Sequence, residues 1–198
     1  QSGTKLFARV NQSGTNQTST INQSSPDSPF AAVRGTVAVT QSGADNVSNV
    51  VQSGDVVTPG VSSGFGFTNF PIEGVQNSPM ASVIQNGTGN EADVDQIGTS
   101  SLLRSTQTGT SNEFVVLQNG DNNFTDIAQT GTDNLIEVTQ SGGITANLSI
   151  SRIVATQNGT NNRSSVLQNG TATDFFTLSV STNQVGDDNE SDATQFGT

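Results

Sequence analysis

The sequence predicts an all-β chain folded as a solenoid with two strands to each rung, and three observations predict it. Glutamines recur at a spacing of 11, the residues between them alternate in polarity, and Gly and Asn punctuate the intervals. Strict alternation is a strand signature; a helix of about 3.6 residues per turn would scatter the same side chains around its circumference. A lone hairpin is not stable, so such units must stack.

The repeat comes first. Of 17 Gln, 14 are followed two residues later by Gly: Gln1, Gln12, Gln41, Gln52, Gln85, Gln96, Gln107, Gln118, Gln129, Gln140, Gln157, Gln168, Gln184 and Gln195. From Gln85 to Gln140 the spacing is 11 five times in succession. An Asn follows alternate glutamines by five residues, at Asn46, Asn90, Asn112, Asn134, Asn162 and Asn189. The glutamines therefore pair as 12/23, 41/52, 85/96, 107/118, 129/140, 157/168 and 184/195, with 11 residues inside every pair. Between pairs the spacing reaches 18 from Gln23 to Gln41, 33 from Gln52 to Gln85, 17 from Gln140 to Gln157 and 16 from Gln168 to Gln184. This predicts one solenoid domain over 1–198, with seven rungs near 4–25, 34–54, 78–98, 100–120, 122–142, 150–170 and 177–197. Insertions fall near 24–34, 55–80, 143–150 and 171–177, at one kind of turn only. All five prolines (Pro26, Pro29, Pro59, Pro71, Pro79) lie in the two longest insertions. Proline cannot donate to a ladder.

Each face follows from the alternation. Second halves read Asn90-Ala92-Val94-Gln96, Asn112-Phe114-Val116-Gln118, Asn134-Ile136-Val138-Gln140 and Asn162-Ser164-Val166-Gln168 at inward positions, and first halves read Val37-Val39-Gln41 and Leu103-Ser105-Gln107. Asp93, Asp95, Glu113 and Glu137 fall on the outward face. Gly43, Gly87, Gly109, Gly131, Gly159 and Gly186 are expected in tight turns, where φ > 0 favours glycine. Rungs stacked about 4.8 Å apart give a rod about 34 Å long. The inward amides, from Gln12 and Gln23 to Gln195 and from Asn46 to Asn189, are expected to hydrogen-bond from rung to rung in ladders. An unpaired buried amide costs about 1–3 kcal/mol. A slip of one residue would turn every Gln and Val to water, which explains the fixed 11.

Composition agrees. Hydrophobic residues make up only 30% of 198, against about 45–50% in ordinary domains, so the amides must replace part of the oily core. With no Cys and no His, disulfides, thiolate zinc sites and His-assisted nucleophiles are excluded. The net charge of -11 argues against nucleic acid. No apolar run approaches the roughly 20 residues of a membrane span. No cofactor, metal or catalytic residue is expected. The start at Gln1 rather than Met leads us to expect an exported chain whose targeting segment has been removed.

Several details have a plain reading beside a tempting one. Asp45, Asp121, Asp133, Asp187 and Asp188 invite a Ca²⁺ reading, but the Gly-Gly-x-Gly-x-Asp pattern is missing, and turn solubility is the expectation. Asp93 and Asp95 resemble an acid–base pair only in number. The sequons at Asn86, Asn158 and Asn169 should point outward, whereas those at Asn162 and Asn189 should be occupied by the ladder. The insertion Asp55–Met80 carries Phe65, Phe67 and Phe70 and is expected to pack on its own subunit.

At this point the residues resemble the curlin repeat of the curli class of bacterial functional amyloids, Ser-x5-Gln-x-Gly-x-x-Asn-x-Ala-x3-Gln. The stretch from Gln85 through Gly87, Asn90 and Ala92 to Gln96 matches the Gln-to-Gln part at every specified position. Ser101 before Gln107 and Ser151 before Gln157 match the leading Ser. Other units replace Ala by Ser48, Phe114, Ile136, Ser164 or Ser191. Curlin subunits usually have contiguous repeats and an N-terminal secretion address, whereas here the repeat begins almost at once and insertions break the spacing.

The repeats lead us to expect assembly rather than catalysis: identical subunits joined head to tail, the last rung of one templating the first of the next. The resemblance implies an extracellular, secreted fibre of biofilm matrix used in adhesion and protection. Its further partners would be a nucleator subunit and secretion machinery. The rival is a monomeric solenoid, an ice-binding, surface-binding or adhesin module. An ice face requires Thr-x-Thr on consecutive strands, a pattern the sequence reading does not find.

Overall fold

The computed structural model describes residues 6–24, 35–53, 80–98, 101–120, 123–142, 151–170 and 178–197. They form fourteen strands: β1 (Phe7–Thr15), β2 (Thr18–Ser24), β3 (Thr36–Ala44), β4 (Val47–Ser53), β5 (Met80–Thr88), β6 (Glu91–Ile97), β7 (Leu102–Thr110), β8 (Glu113–Asn119), β9 (Asn123–Thr132), β10 (Leu135–Ser141), β11 (Ser151–Thr160), β12 (Arg163–Gly170), β13 (Leu178–Val185) and β14 (Glu190–Gly197). Odd strands make one seven-stranded sheet, ordered β1 to β13, and even strands make another, ordered β14 to β2. Every pairing is parallel. The chain therefore alternates between sheets, and one odd strand with the even strand after it makes a rung. This is the two-strand β-solenoid of seven rungs that the alternation predicts.

Register is kept through the whole stack. Gln12, Gln41, Gln85, Gln107, Gln129, Gln157 and Gln184 align in the first sheet. Gln23, Gln52, Gln96, Gln118, Gln140, Gln168 and Gln195 align in the second. The long connections all run from an even strand to the next odd strand. The prolines, Phe65, Phe67, Phe70 and Asp121 lie outside the described residues.

Between the sheets lies a narrow apolar seam of Val37, Val39, Val50, Val83, Val94, Leu103, Phe114, Ile127, Ile136, Val138, Ile153 and Val166, packed with smaller neighbours. Phe114, the largest of these side chains, shares its rung with the small Ser105. Outside, Asp93 and Glu113 are exposed, while Asp95 and Glu137 are half-buried.

The corner differs from expectation in one respect. Gly43, Gly87, Gly109, Gly131 and Gly159 lie within the last residues of β3, β5, β7, β9 and β11, because parallel pairing continues past the Gln. Gly186 alone of the six falls just after its strand. The left-handed corner comes two residues later, at Asn16, Asp45, Gly89, Ser111, Asp133, Asn161 and Asp188, with φ from 52 to 65. Asn, Asp and Gly are the residues that tolerate this conformation best.

Candidate functional site: amide columns and end rungs

Three columns of amides run along the rod. In the first sheet, Nε2 of each Gln donates to Oε1 of the next: Gln12 to Gln41 at 2.7 Å, Gln41 to Gln85 at 2.7 Å, Gln85 to Gln107 at 2.9 Å, Gln107 to Gln129 at 3.0 Å, Gln129 to Gln157 at 3.1 Å and Gln157 to Gln184 at 2.8 Å. The second sheet repeats this from Gln23 through Gln52, Gln96, Gln118, Gln140 and Gln168 to Gln195, at 2.7–3.1 Å. Both glutamine columns donate towards the C-terminal rung.

Asparagines run the other way. Nδ2 of Asn90 donates to Oδ1 of Asn46 at 3.0 Å, and Asn112, Asn134, Asn162 and Asn189 each donate back to their predecessor at 2.8–3.1 Å. The same Oδ1 also accepts the backbone N–H of the following Asn.

These directions are fixed by third partners. The second proton on Nε2 of Gln41, Gln85, Gln107, Gln129, Gln157 and Gln184 goes across the seam to a backbone carbonyl of the opposite sheet, for example from Gln107 to Glu91 at 2.9 Å. A flipped amide would present oxygen to oxygen there. These six glutamines thus tie rung to rung and sheet to sheet. Gln41, Gln52, Gln85, Gln96, Gln107, Gln118, Gln129, Gln140, Gln157 and Gln168 are all buried, as are Asn46, Asn90, Asn112, Asn134 and Asn162. At the rod's ends Gln12 is exposed and Asn189 and Gln195 are half-exposed, whereas Gln23 and Gln184, in the same end rungs, are buried.

Some members escape the sequence pattern. Gln17 stands where the first rung would have its Asn, and its Nε2 donates to Ser13 O and Gly43 O as Asn46 does to Ser42 O and Gly87 O. Its longer side chain leaves Oε1 buried and without a partner. The signal was position alone, five residues after Gln12. Hydroxyls also join: Ser151 Oγ donates to Gln168 Oε1 at 2.5 Å, and Gln118 Nε2 donates to Thr125 Oγ1 at 3.0 Å.

The outer faces are modest in chemistry. Arg104 pairs with Asp126 at 2.6 Å and Arg163 with Glu137 at 2.7 Å. Partial burial pushes the Glu113 carboxyl above the usual range, helped by Glu91 and Glu137 and opposed by Arg163. Burial, then Asp93, raises Asp95 likewise. Among the described residues no three His, Cys, Asp or Glu are grouped to hold a metal ion, and no helix is long and apolar enough to cross a membrane. Asn86, Asn158 and Asn169 are exposed, whereas Asn162 is buried in its column. One reading needs correction: Thr108-x-Thr110 and Thr130-x-Thr132 do stand in register on neighbouring strands.

Comparison with known proteins adds one match. The family model of the curlin associated repeat matches residues 109–142, the span from the glycine of β7 through β10. No curated protein matches the chain. The matched segment carries the same Gln and Asn columns as the rungs on either side of it. Residues 109–142 are thus similar to the curlin associated repeat, and the rungs on either side continue the glutamine columns of that segment.

Proposed function

We propose that this protein is a structural subunit of an extracellular curli-like amyloid fibre, polymerising head to tail by continuing its β-ladders between subunits. One observation carries the reading. Val10 belongs to an inward column, yet it is 45% exposed, while its column mates Val39 and Val83 are 1% and 0% exposed. Among the described residues no strand pairs with the outer edge of β1, β2, β13 or β14, so the ladders end in unpaired strand edges, and beside β1 the seam lies open. Exposed edges of this kind recruit further strands. The outward acids discourage side-to-side sticking. Secretion, a nucleating partner, and roles in biofilm matrix, adhesion and protection follow from the family reading, and the work asked of the chain is structural, not catalytic.

Electron microscopy and fibre diffraction of the purified protein test this. Long filaments with a meridional reflection near 4.8 Å are the expected result. A persistent monomer would overturn the proposal. The second reading, a monomeric surface- or ice-binding or adhesin module, draws on the four threonines at 108, 110, 130 and 132. The 108/130 row stops at Asn86 and Asn158 on the flanking rungs, whereas the 110/132 row continues to Thr88 and Thr160. Ice-growth inhibition by the monomer, abolished by Thr110→Lys, would favour it.

A further inference from the structure

We infer that the C-terminal end of the rod is a binding site for one extended strand, and that its ligand is segment 6–16 of a second copy. The inference rests on the filament reading. It adds the first contact a joining subunit makes and a peptide that blocks it.

The two sheets are stepped along the rod. Across the seam, Gln41, Gln85, Gln107, Gln129, Gln157 and Gln184 donate to the even strand of the rung before. Gln23, Gln96 and Gln118 instead donate to Phe7 O, Met80 O and Leu102 O of their own rung, each at 3.3 Å. An even strand thus lies across the seam from two odd strands, its own and the next. Among the described residues the ends break this rule: β1 has only β2 across from it, and β14 has only β13. Exposure follows the step. β1 is exposed throughout while Gln23 behind it is buried, and Val180, Thr182 and Gln184 of β13 are buried while Ser191, Ala193 and Gln195 of β14 are half-buried. β14 therefore stands as a wall beside the unpaired edge of β13, and together they form a notch for one strand.

The groups left unused at the two ends identify the occupant. The first sheet has a column of seven glutamines, from Gln12 to Gln184, and the second has seven carbonyls in register from Thr18 to Glu190. Six cross-seam bonds use six of each. The glutamine left over is Gln12, in β1, and the carbonyl left over is that of Glu190, in β14. Laid on β13 in register, the β1 of a second copy brings Gln12 to Glu190 O, just as Gln184 comes to Arg163 O at 2.9 Å. Val10 gains as well. Thr182, in its column, meets Ser164 at 3.2 Å, so the incoming Val10 meets Ser191 and lies beside Ala193, which packs on the seam but is only partly buried. An exposed sheet edge takes an extended peptide in this way, with side-chain fit setting its choice. Once β1 is seated, β2 of the same copy continues the ladder on β14.

A synthetic peptide of residues 6–16 tests this on the full-length chain. In excess, it should slow seeded elongation of the wild-type protein at least about tenfold, equivalent to about 1.4 kcal/mol. The same peptide with Val10→Asp should not, because it would bring a charge into the seam, and neither should a peptide of residues 18–24, which has no wall to lie against. Disulfide trapping locates the contact, since the chain has no Cys of its own. A peptide carrying Val10→Cys should link to Thr182→Cys protein under mild oxidation, because strands in register bring Cα atoms within the roughly 4.4–6.8 Å a disulfide spans. It should link more slowly to Val185→Cys protein, although Val185 is 71% exposed and Thr182 only 9%. No preference for position 182, or equal slowing by the 18–24 peptide, overturns the notch while leaving the filament intact. A wild-type protein that forms no filaments overturns both.

Discussion

A Cβ at Gly87 would overlap the carbonyl oxygen of Gly109 and stand 2.9 Å from its carbonyl carbon. The obstacle is backbone held in register on both sides, so it cannot move aside as a side chain would. Gly87 also sits at φ 124, outside the range of ordinary residues. Gly87→Ala should therefore cost about 3 kcal/mol or more, seen as a large fall in the denaturation midpoint. Gly89→Asn, two residues on, should be nearly neutral: φ is 65 there and a Cβ would meet only Ser111 Oγ at 3.7 Å.

Removing ladder amides should damage both folding and assembly. Gln118→Ala together with Gln129→Ala interrupts one link chain in each sheet and strands the partners at Gln96, Gln107, Gln140 and Gln157. Each uncompensated buried amide costs about 1–3 kcal/mol. The double variant should polymerise slowly or not at all by dye-binding kinetics. Asp93→Asn, on the outer face, should behave as wild type; equal effects would refute the division of faces.

The seam offers a separate test. Phe114 is fully buried, and truncation to Ala should cost about 3–5 kcal/mol. Chemical denaturation of soluble monomer would measure this. Phe114→Leu should recover most of the loss.

Acidity should stabilise the rod. Partial burial and the neighbouring Glu91 and Glu137 raise the folded pKa of Glu113 above its ordinary 4.5. A carboxyl with a raised folded pKa binds its proton more tightly when folded. Stability is therefore gained as pH falls through the folded value, and levels off below 4.5. The thermal midpoint should rise between neutral pH and that point, and Glu113→Gln should raise the neutral midpoint and flatten the dependence. A midpoint that falls over this window would contradict the assignment.

How much of this was legible in the sequence follows from what is periodic. The 11-residue spacing of glutamine specified strands, rungs and the sheet register together, because each Gln had to meet another Gln. Gln17 was not legible as a ladder member: the pattern asked for Asn, and only its place in the turn gives its role away. The left-handed corner was also missed. Asp45, Asp133 and Asp188 read as soluble turn acids, whereas they hold the left-handed corner at φ 55 to 57, two residues after glycines whose φ is also positive. The direction of the amide columns depends on backbone carbonyls across the seam, and no spacing encodes those. The Phe-bearing insertion has no period to read.

All long connections join an even strand to the odd strand after it, while the Asn-bearing corner never varies in length. Additions to this chain thus leave and rejoin the strands at one margin of the rod, and the opposite corner keeps its length. A foreign epitope or enzyme grafted into 171–177 would leave both strand stacks uninterrupted. In a polymer it would recur once per subunit along a single line, like teeth on one side of a comb.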